Sequence, residues 1–138
     1  MVMTKKATLM TADDIDRALT RVAHQIVEKS HGADDLCLVG ILTRGAPLAE
    51  RLAKKIKTIE GKVVPVGSID ITLYRDDLTH KNPDPVLNGE KINFDITDKT
   101  VILVDDVIFT CRTASAALDA LKDVGRAGRI FLATLIDR

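Results

Sequence analysis

The thirteen residues Val101 to Thr113, VILVDDVIFTCRT, constrain this chain more than any other stretch. Four apolar residues, Val101 to Val104, run into two adjacent carboxylates, Asp105 and Asp106; a short polar turn follows, then a helix beginning near Ala114. An uninterrupted apolar run suits a strand buried on both faces. A strand, turn and helix in that order aims the free N-terminal amides of the helix, and the positive end of its dipole, at an anion. Thr110, Arg112 and Thr113 add two hydroxyls and a cation. The competing reading is a core strand of any parallel α/β sheet that happens to end in solvated acids. The strand and helix context favours the phosphate reading. Neighbouring side chains on a strand point to opposite faces, so Asp105 and Asp106 are badly placed to straddle one bond as glycosidase carboxylates do. They suit separate jobs at the carboxyl end of the strand, where open α/β sheets bind ligands.

The rest of the chain supplies the other layers of such a sheet. Thr11 to Lys29 reads as a helix, with Ile15, Leu19, Val22 and Ile26 as its inward stripe and Arg17, Arg21, His24 and Glu28 on the other face; Gly32 ends it. Leu36 to Leu42 (LCLVGIL) is an apolar strand. Thr43-Arg44-Gly45 is a tight turn, and Pro47 stands in the first turn of a helix whose Leu48, Leu52 and Ile56 face the sheet. Further strands are expected at Val63 to Leu73, Val101 to Val104 and Ile130 to Ile136, and a helix with the stripe Ala114, Ala117, Leu118, Leu121 and Val124 closes at Gly125. Tyr74 to Lys91 (YRDDLTHKNPDPVLNGEK) reads as an irregular polar segment, long enough to be a lid. Alternating strands and amphipathic helices predict an α/β fold, a mainly parallel sheet flanked by helices.

Composition narrows the field further. A chain of 138 residues with 46% hydrophobic content can bury one core and not two, so residues 1–138 are expected to form a single domain. Lys plus Arg and Asp plus Glu both number 20, so no global field favours nucleic acid and any RNA contact needs a local patch. Cys37 and Cys111 have neither C-x-x-C nor metal-ligand spacing, which argues against zinc and a disulfide framework and fits a reduced cytoplasm. Met1 to Met10 does not read as a signal peptide, and no apolar run approaches the roughly 18 residues of a membrane span. Cys111 has a second reading as a nucleophile, since a thiol at a helix start beside Arg112 is how a reactive thiolate is made. No histidine is tied to it in the sequence, and phosphate binding already accounts for the loop.

VILVDDVIFTCRT resembles the phosphoribosyl pyrophosphate (PRPP) signature of the type I phosphoribosyltransferases, two acids followed by a T-G-x-T loop, except that Cys111 stands in the glycine position. Together with RALTRVAH near the N-terminus, GILTRG after the first strand and DITLYRDDL before the polar segment, it is similar to the bifunctional pyrimidine operon regulators, over about Ala7 to Arg138. The resemblance implies a type I phosphoribosyltransferase-like fold and two activities. One is attenuation of pyr transcription by binding leader messenger RNA under control of UMP and UTP; the other is uracil phosphoribosyltransfer from PRPP. It implies that Asp105 and Asp106 hold the ribose hydroxyls and, indirectly through PRPP and water, orient Mg2+. Thr43, Arg44, Gly45, Thr110, Cys111, Arg112 and Thr113 would contact PRPP, with Arg75 closing over it as a catalytic cation from the mobile loop. Arg17, Thr20, Arg21 and His24 match the RNA-binding face, which without the resemblance would read as a solvated helix face. Self-association into dimers or higher assemblies is a further implication. Relatives continue past the D-R that matches Asp137-Arg138, so a lack of their C-terminal segment, and with it weaker RNA binding or impaired catalysis, is expected here. The alternatives are a regulator that has lost catalysis and a phosphoribosyltransferase for another base. Phe109 speaks against purine enzymes, which place an acid at that point.

Overall fold

The computed structural model describes residues 12–42, 45–74, 84–108 and 111–137. Helix α1 (Ala12–Ser30) opens with Asp13 and Asp14 and has Lys29 in its last turn, an order that complements the helix dipole. Leu19 and Ile26 are buried, with Ile15 and Val22 packed beside them, as the 3.6-residue stripe requires. The helix stops in a Schellman-type cap: the Gly32 N–H donates to the Val27 carbonyl (3.0 Å) and the His31 N–H to that of Glu28 (3.4 Å). The left-handed turn therefore begins at His31, at φ 56°, one residue ahead of the glycine.

Next come β1 (Leu36–Leu42), α2 (Gly45–Glu60), β2 (Val66–Tyr74), β3 (Asp84–Lys91), β4 (Thr100–Ile108), α3 (Cys111–Val124) and β5 (Arg129–Asp137). The five strands lie in the order β3-β2-β1-β4-β5, all parallel except the β2–β3 pair. Alternation along the central strands divides the core in two. Leu36, Leu38, Ile102 and Val104 pack with Leu19 and Ile26 of α1 and Leu52 and Ile56 of α2. Cys37, Val39, Val101 and Leu103 pack with Ala117 and Leu121 of α3. Helices thus cover both faces, which is why these strands read as continuous apolar runs. Among the described residues no helix is long and apolar enough to cross a membrane.

Four sequence expectations are corrected. Asp84–Lys91, within the segment read as irregular, is a strand antiparallel to β2. Proline and charged residues are tolerated there because an edge strand leaves one side unpaired. The strand expected over Val101 to Val104 extends through both acids to Ile108, because β5 keeps pairing beside it as far as Ile108↔Asp137. The helix then starts at Cys111 instead of near Ala114. Finally, Leu118 is 38% exposed, and Ala120 takes its place in the core.

The crossovers β1-α2-β2 and β4-α3-β5 run to opposite sides of the sheet and place α2 and α3 on opposite faces. The strand order therefore switches between β1 and β4, and the crevice outside their carboxyl ends is where a ligand of an open α/β sheet sits.

Candidate functional site

Two strand-to-helix junctions meet at that crevice. β1 and β4 pair from Leu36↔Thr100 to Gly40↔Val104. There the first residues of α2 fold back over β1. A Cβ on Gly40 would lie 2.5 Å from the Ala46 Cα and 2.6 Å from its nitrogen, and a Cβ on Gly45 would fall inside the Val104 carbonyl, 3.4 Å from the Asp105 Cα. Backbone touches backbone at both glycines, so the first turn of α2 is held against the end of β4. Sequence reasoning singled out Gly45 and missed Gly40. Its signal was a glycine inside the apolar strand LCLVGIL, where a missing side chain marks close approach of another backbone.

The second junction carries the acids. Asp105 is half-buried and paired in register with Thr134 of β5, and both residues are engaged in polar interactions. Asp106 follows it in the strand, and only residues 109 and 110 separate β4 from α3. Cys111, Arg112 and Thr113 form the first turn of α3, whose leading amides have no partner within the helix. The structure thus brings Gly45, Asp105, Asp106 and the Cys111–Thr113 turn to one end of the sheet. Thr43, Arg44, Arg75 and Thr110 lie outside the described residues, as do the side chains of Asp106, Cys111, Arg112 and Thr113.

A carboxylate at a strand's end beside a helix start suits magnesium, which takes hard oxygen donors and usually binds one or two carboxylates together with substrate phosphates. Among the described residues no group of three or more His, Cys, Asp or Glu is placed to hold a metal by itself. Cys37 is fully buried on β1, and that burial pushes its thiol up to about 11.

Arg17, Arg21 and His24 form an exposed stripe on α1. Thr20 is half-buried, and its hydroxyl donates to the Asp16 carbonyl at 3.0 Å. Asp16 is tied to α2 through Lys55 (2.8 Å) and Arg51 (3.8 Å). The Lys55 hydrogen bond and charge hold its carboxyl below the usual carboxylate range. One side of α1 is thus anchored by ion pairs, while among the described residues none pairs with Arg17, Arg21 or His24.

Sheet order, crevice and the helix start beside the acids fit a phosphoribosyl transferase domain, and that family matches residues 10–138. Solved structures agree on the fold. A purine phosphoribosyltransferase from Pyrococcus horikoshii superposes with a TM-score of 0.72 at 27% identity, over 93% of this chain and 75% of that one. A hypoxanthine phosphoribosyltransferase from Staphylococcus aureus gives 0.75 at 21% identity, over 94% and 66%. Sequence relatives are much nearer. The bifunctional protein PyrR of Alkaliphilus metalliredigens is 60% identical over 99% of this chain and 75% of its own length, and that of Thermus aquaticus is 58% identical over 96% and 74%. The chain belongs to the bifunctional PyrR family of phosphoribosyl transferase domains.

Proposed function

We propose that this protein regulates pyrimidine biosynthesis by attenuating pyr transcription through its leader messenger RNA, and that it converts uracil and PRPP to UMP and pyrophosphate. The observation that carries this reading is the convergence of Asp105, Asp106 and the Cys111–Thr113 turn opposite Gly45, in a chain 60% identical to a bifunctional PyrR. Residues 1–138 act as one phosphoribosyltransferase-like domain in the cytoplasm, self-associating and responding to UMP and UTP.

Displacement of pyrophosphate from ribose C1 develops positive charge on the sugar and negative charge on the leaving group. Asp105 and Asp106 hold the ribose hydroxyls. The amides and hydroxyls of Thr110 to Thr113, with Arg112, hold the 5-phosphate. Arg44 and the turn amides of Thr43 and Gly45 meet the pyrophosphate, and Arg75 covers it and excludes water. Asp105 and Asp106 would hold magnesium indirectly, through PRPP and water, and the ion would supply positive charge to offset that of the leaving group. No covalent enzyme intermediate is needed, so Cys111 serves the phosphate turn and not as a nucleophile. The purine specificity in the names of the two structural relatives belongs to chains only 27% and 21% identical to this one, and Phe109 occupies the position of the purine-contacting acid.

Calorimetric titration with magnesium and PRPP tests the site. The Asp105→Asn, Asp106→Asn double variant is expected to bind at least tenfold more weakly, and unchanged affinity would move the site elsewhere. Conversion of radiolabelled uracil to UMP tests the reaction. RNA binding is tested separately, by filter binding of a pyr leader hairpin. With 20 basic and 20 acidic residues the chain needs a local patch, and Arg17, Thr20, Arg21 and His24 at helical spacing supply it. Affinity should fall in Arg21→Gln and drop steeply with salt, as phosphate contacts require. Equal affinity in the variant would exclude this face.

A further inference from the structure

The exposed cations of α1 make a short track. Arg17, Arg21 and His24 follow one another at helical spacing, so they lie along one face of the helix over about 10 Å, at 1.5 Å of rise per residue. Asp13 stands one turn before Arg17 and Glu28 one turn after His24, both exposed, so an acid closes the track at each end. A polyanion on this face is therefore repelled if it runs on along α1 in either direction. Sideways, toward α2, the charges are of the other sign.

α2 presents Arg51 and Lys55, one turn apart, to the seam between the two helices, and Asp16 of α1 meets both. Its carboxylate is 2.8 Å from the Lys55 ammonium and 3.8 Å from the Arg51 guanidinium. The two contacts are unequal. The first is a hydrogen-bonded ion pair; the second is beyond hydrogen-bond reach, and the Arg51 side chain is 45% exposed against 23% for Lys55. Like charges one turn apart on a helix repel, and Asp16 offsets that repulsion. Asp16 also precedes Arg17 in the chain, and its carbonyl accepts the Thr20 hydroxyl, so the α1 track and the α2 pair meet at this one residue. A single carboxylate between Arg51, Lys55 and the neighbouring Arg17 leaves the seam basic, in a chain whose charges otherwise balance at 20 and 20.

We propose that the RNA-binding surface crosses the seam from α1 to α2, with Arg51 as a phosphate contact and Asp16 as the counter-charge that holds Arg51 until a phosphate takes its place. The proposal rests on the RNA-binding reading above and adds to it a second helix and a residue that opposes binding. Asp16 engages Arg51 by charge alone, whereas a phosphate can accept two parallel hydrogen bonds from the guanidinium fork. Arg51 therefore gains by the exchange, and Lys55 stays with Asp16. The carboxylate left at the seam faces the incoming phosphates and weakens their binding. Because exposed ion pairs contribute little to folding, loss of the Asp16 charge changes affinity more than stability.

Filter binding of the pyr leader hairpin to the full chain over a series of salt concentrations tests this, with circular dichroism to verify folding. Arg51→Gln is expected to weaken binding roughly fivefold at low salt and to reduce the slope of log affinity against log salt by about one, the signature of a lost phosphate contact. Arg51→Lys, which keeps the charge, should retain the slope. Asp16→Asn should tighten binding by about threefold, since it removes a repulsive charge; a residue that merely braced α1 against α2 would weaken binding when altered. Lys122→Gln, on α3 at the opposite face of the sheet, controls for net charge and should change neither quantity. Parent-like affinity and slope in Arg51→Gln, weaker binding in Asp16→Asn, or an equal fall in Lys122→Gln would each overturn the proposal. Binding that responds to Arg21→Gln and not to Arg51→Gln would confine the RNA to α1 and leave the regulatory reading standing, whereas a parent that binds no hairpin at low salt would refute both.

Discussion

The two junctions that face each other across the crevice satisfy different demands. Where β1 passes into α2, Gly40 and Gly45 are required by the protein itself: a Cβ on either would strike the backbone of Ala46 or Val104. Where β4 passes into α3, the glycine of the related T-G-x-T loop is replaced by Cys111, and α3 still forms from that residue onward. A glycine demanded by packing and a glycine suited to a ligand look alike in a sequence. They differ in what their loss changes: stability in the first case, affinity in the second.

The largest expected effect tests the packing side. Gly45→Ala forces a methyl group into the Val104 carbonyl, and relief requires moving α2 or the end of β4, both held by buried residues. Overpacking of this kind costs about 1 to 3 kcal/mol and occasionally more, and backbone as the obstacle places the cost at or above the upper figure. Urea denaturation should show a clear drop in midpoint, and Gly40→Ala should behave similarly. A midpoint within error of the parent for both would mean that this junction is as adaptable as the other.

The affinity side is tested by Cys111→Gly. A side chain where the backbone approaches phosphate crowds the ligand or strains the turn by about 1 to 3 kcal/mol. Restoring glycine should tighten PRPP binding by up to roughly tenfold for each 1.4 kcal/mol recovered, with little change in the urea midpoint. Equal or weaker affinity in the variant would show that the turn accommodates cysteine without cost.

The same contrast explains what could be read without coordinates. β1, α1, α2 and the central part of β4 were legible because each buries a periodic apolar face, and periodicity is local information: the expected and observed limits of β1 coincide at Leu36 and Leu42. β3 was not legible. DPVLNGEK carries proline, glycine and three charges, and it becomes a strand only because the open edge of β2 lies beside it. Nor was the extension of β4 through Asp105 and Asp106, which depends on β5 pairing alongside. At the site, the order of strand, acids and helix was legible as a local pattern. The role of Gly40 was not, because it is a contact between Gly40 and Ala46 that leaves no mark except the missing side chain. Leu118 was assigned to the core from its place in the stripe, and helix rotation against the sheet favoured Ala120.

The smallest effect uses the two cysteines as reporters, Cys111 at the start of α3 and Cys37 in the core near the start of β1. Cys37 lies on β1 in the core, its Sγ 3.8 Å from the Thr100 carbonyl, and burial raises its thiol from 9.0 to about 11. Between those values the unfolded chain has released the thiol proton and the folded chain has kept it. Folded protein thus binds more protons than unfolded protein across that window, and stability falls as pH rises through it. Below pH 9 both states hold the proton, and the group contributes no slope. Because lysines and Tyr74 also titrate in alkali, the comparison is with Cys37→Ala, whose stability should decline less between pH 9 and 11 when followed by urea midpoint. Parallel pH profiles for parent and variant would show that the Cys37 thiol titrates alike in both states. In the folded chain at pH 8, an alkylating reagent should modify Cys111 at the helix start and spare Cys37, and magnesium with PRPP should slow the reaction at Cys111. Modification of Cys37 at a comparable rate would show that the core between β1 and α3 opens as readily as the start of α3 is reached.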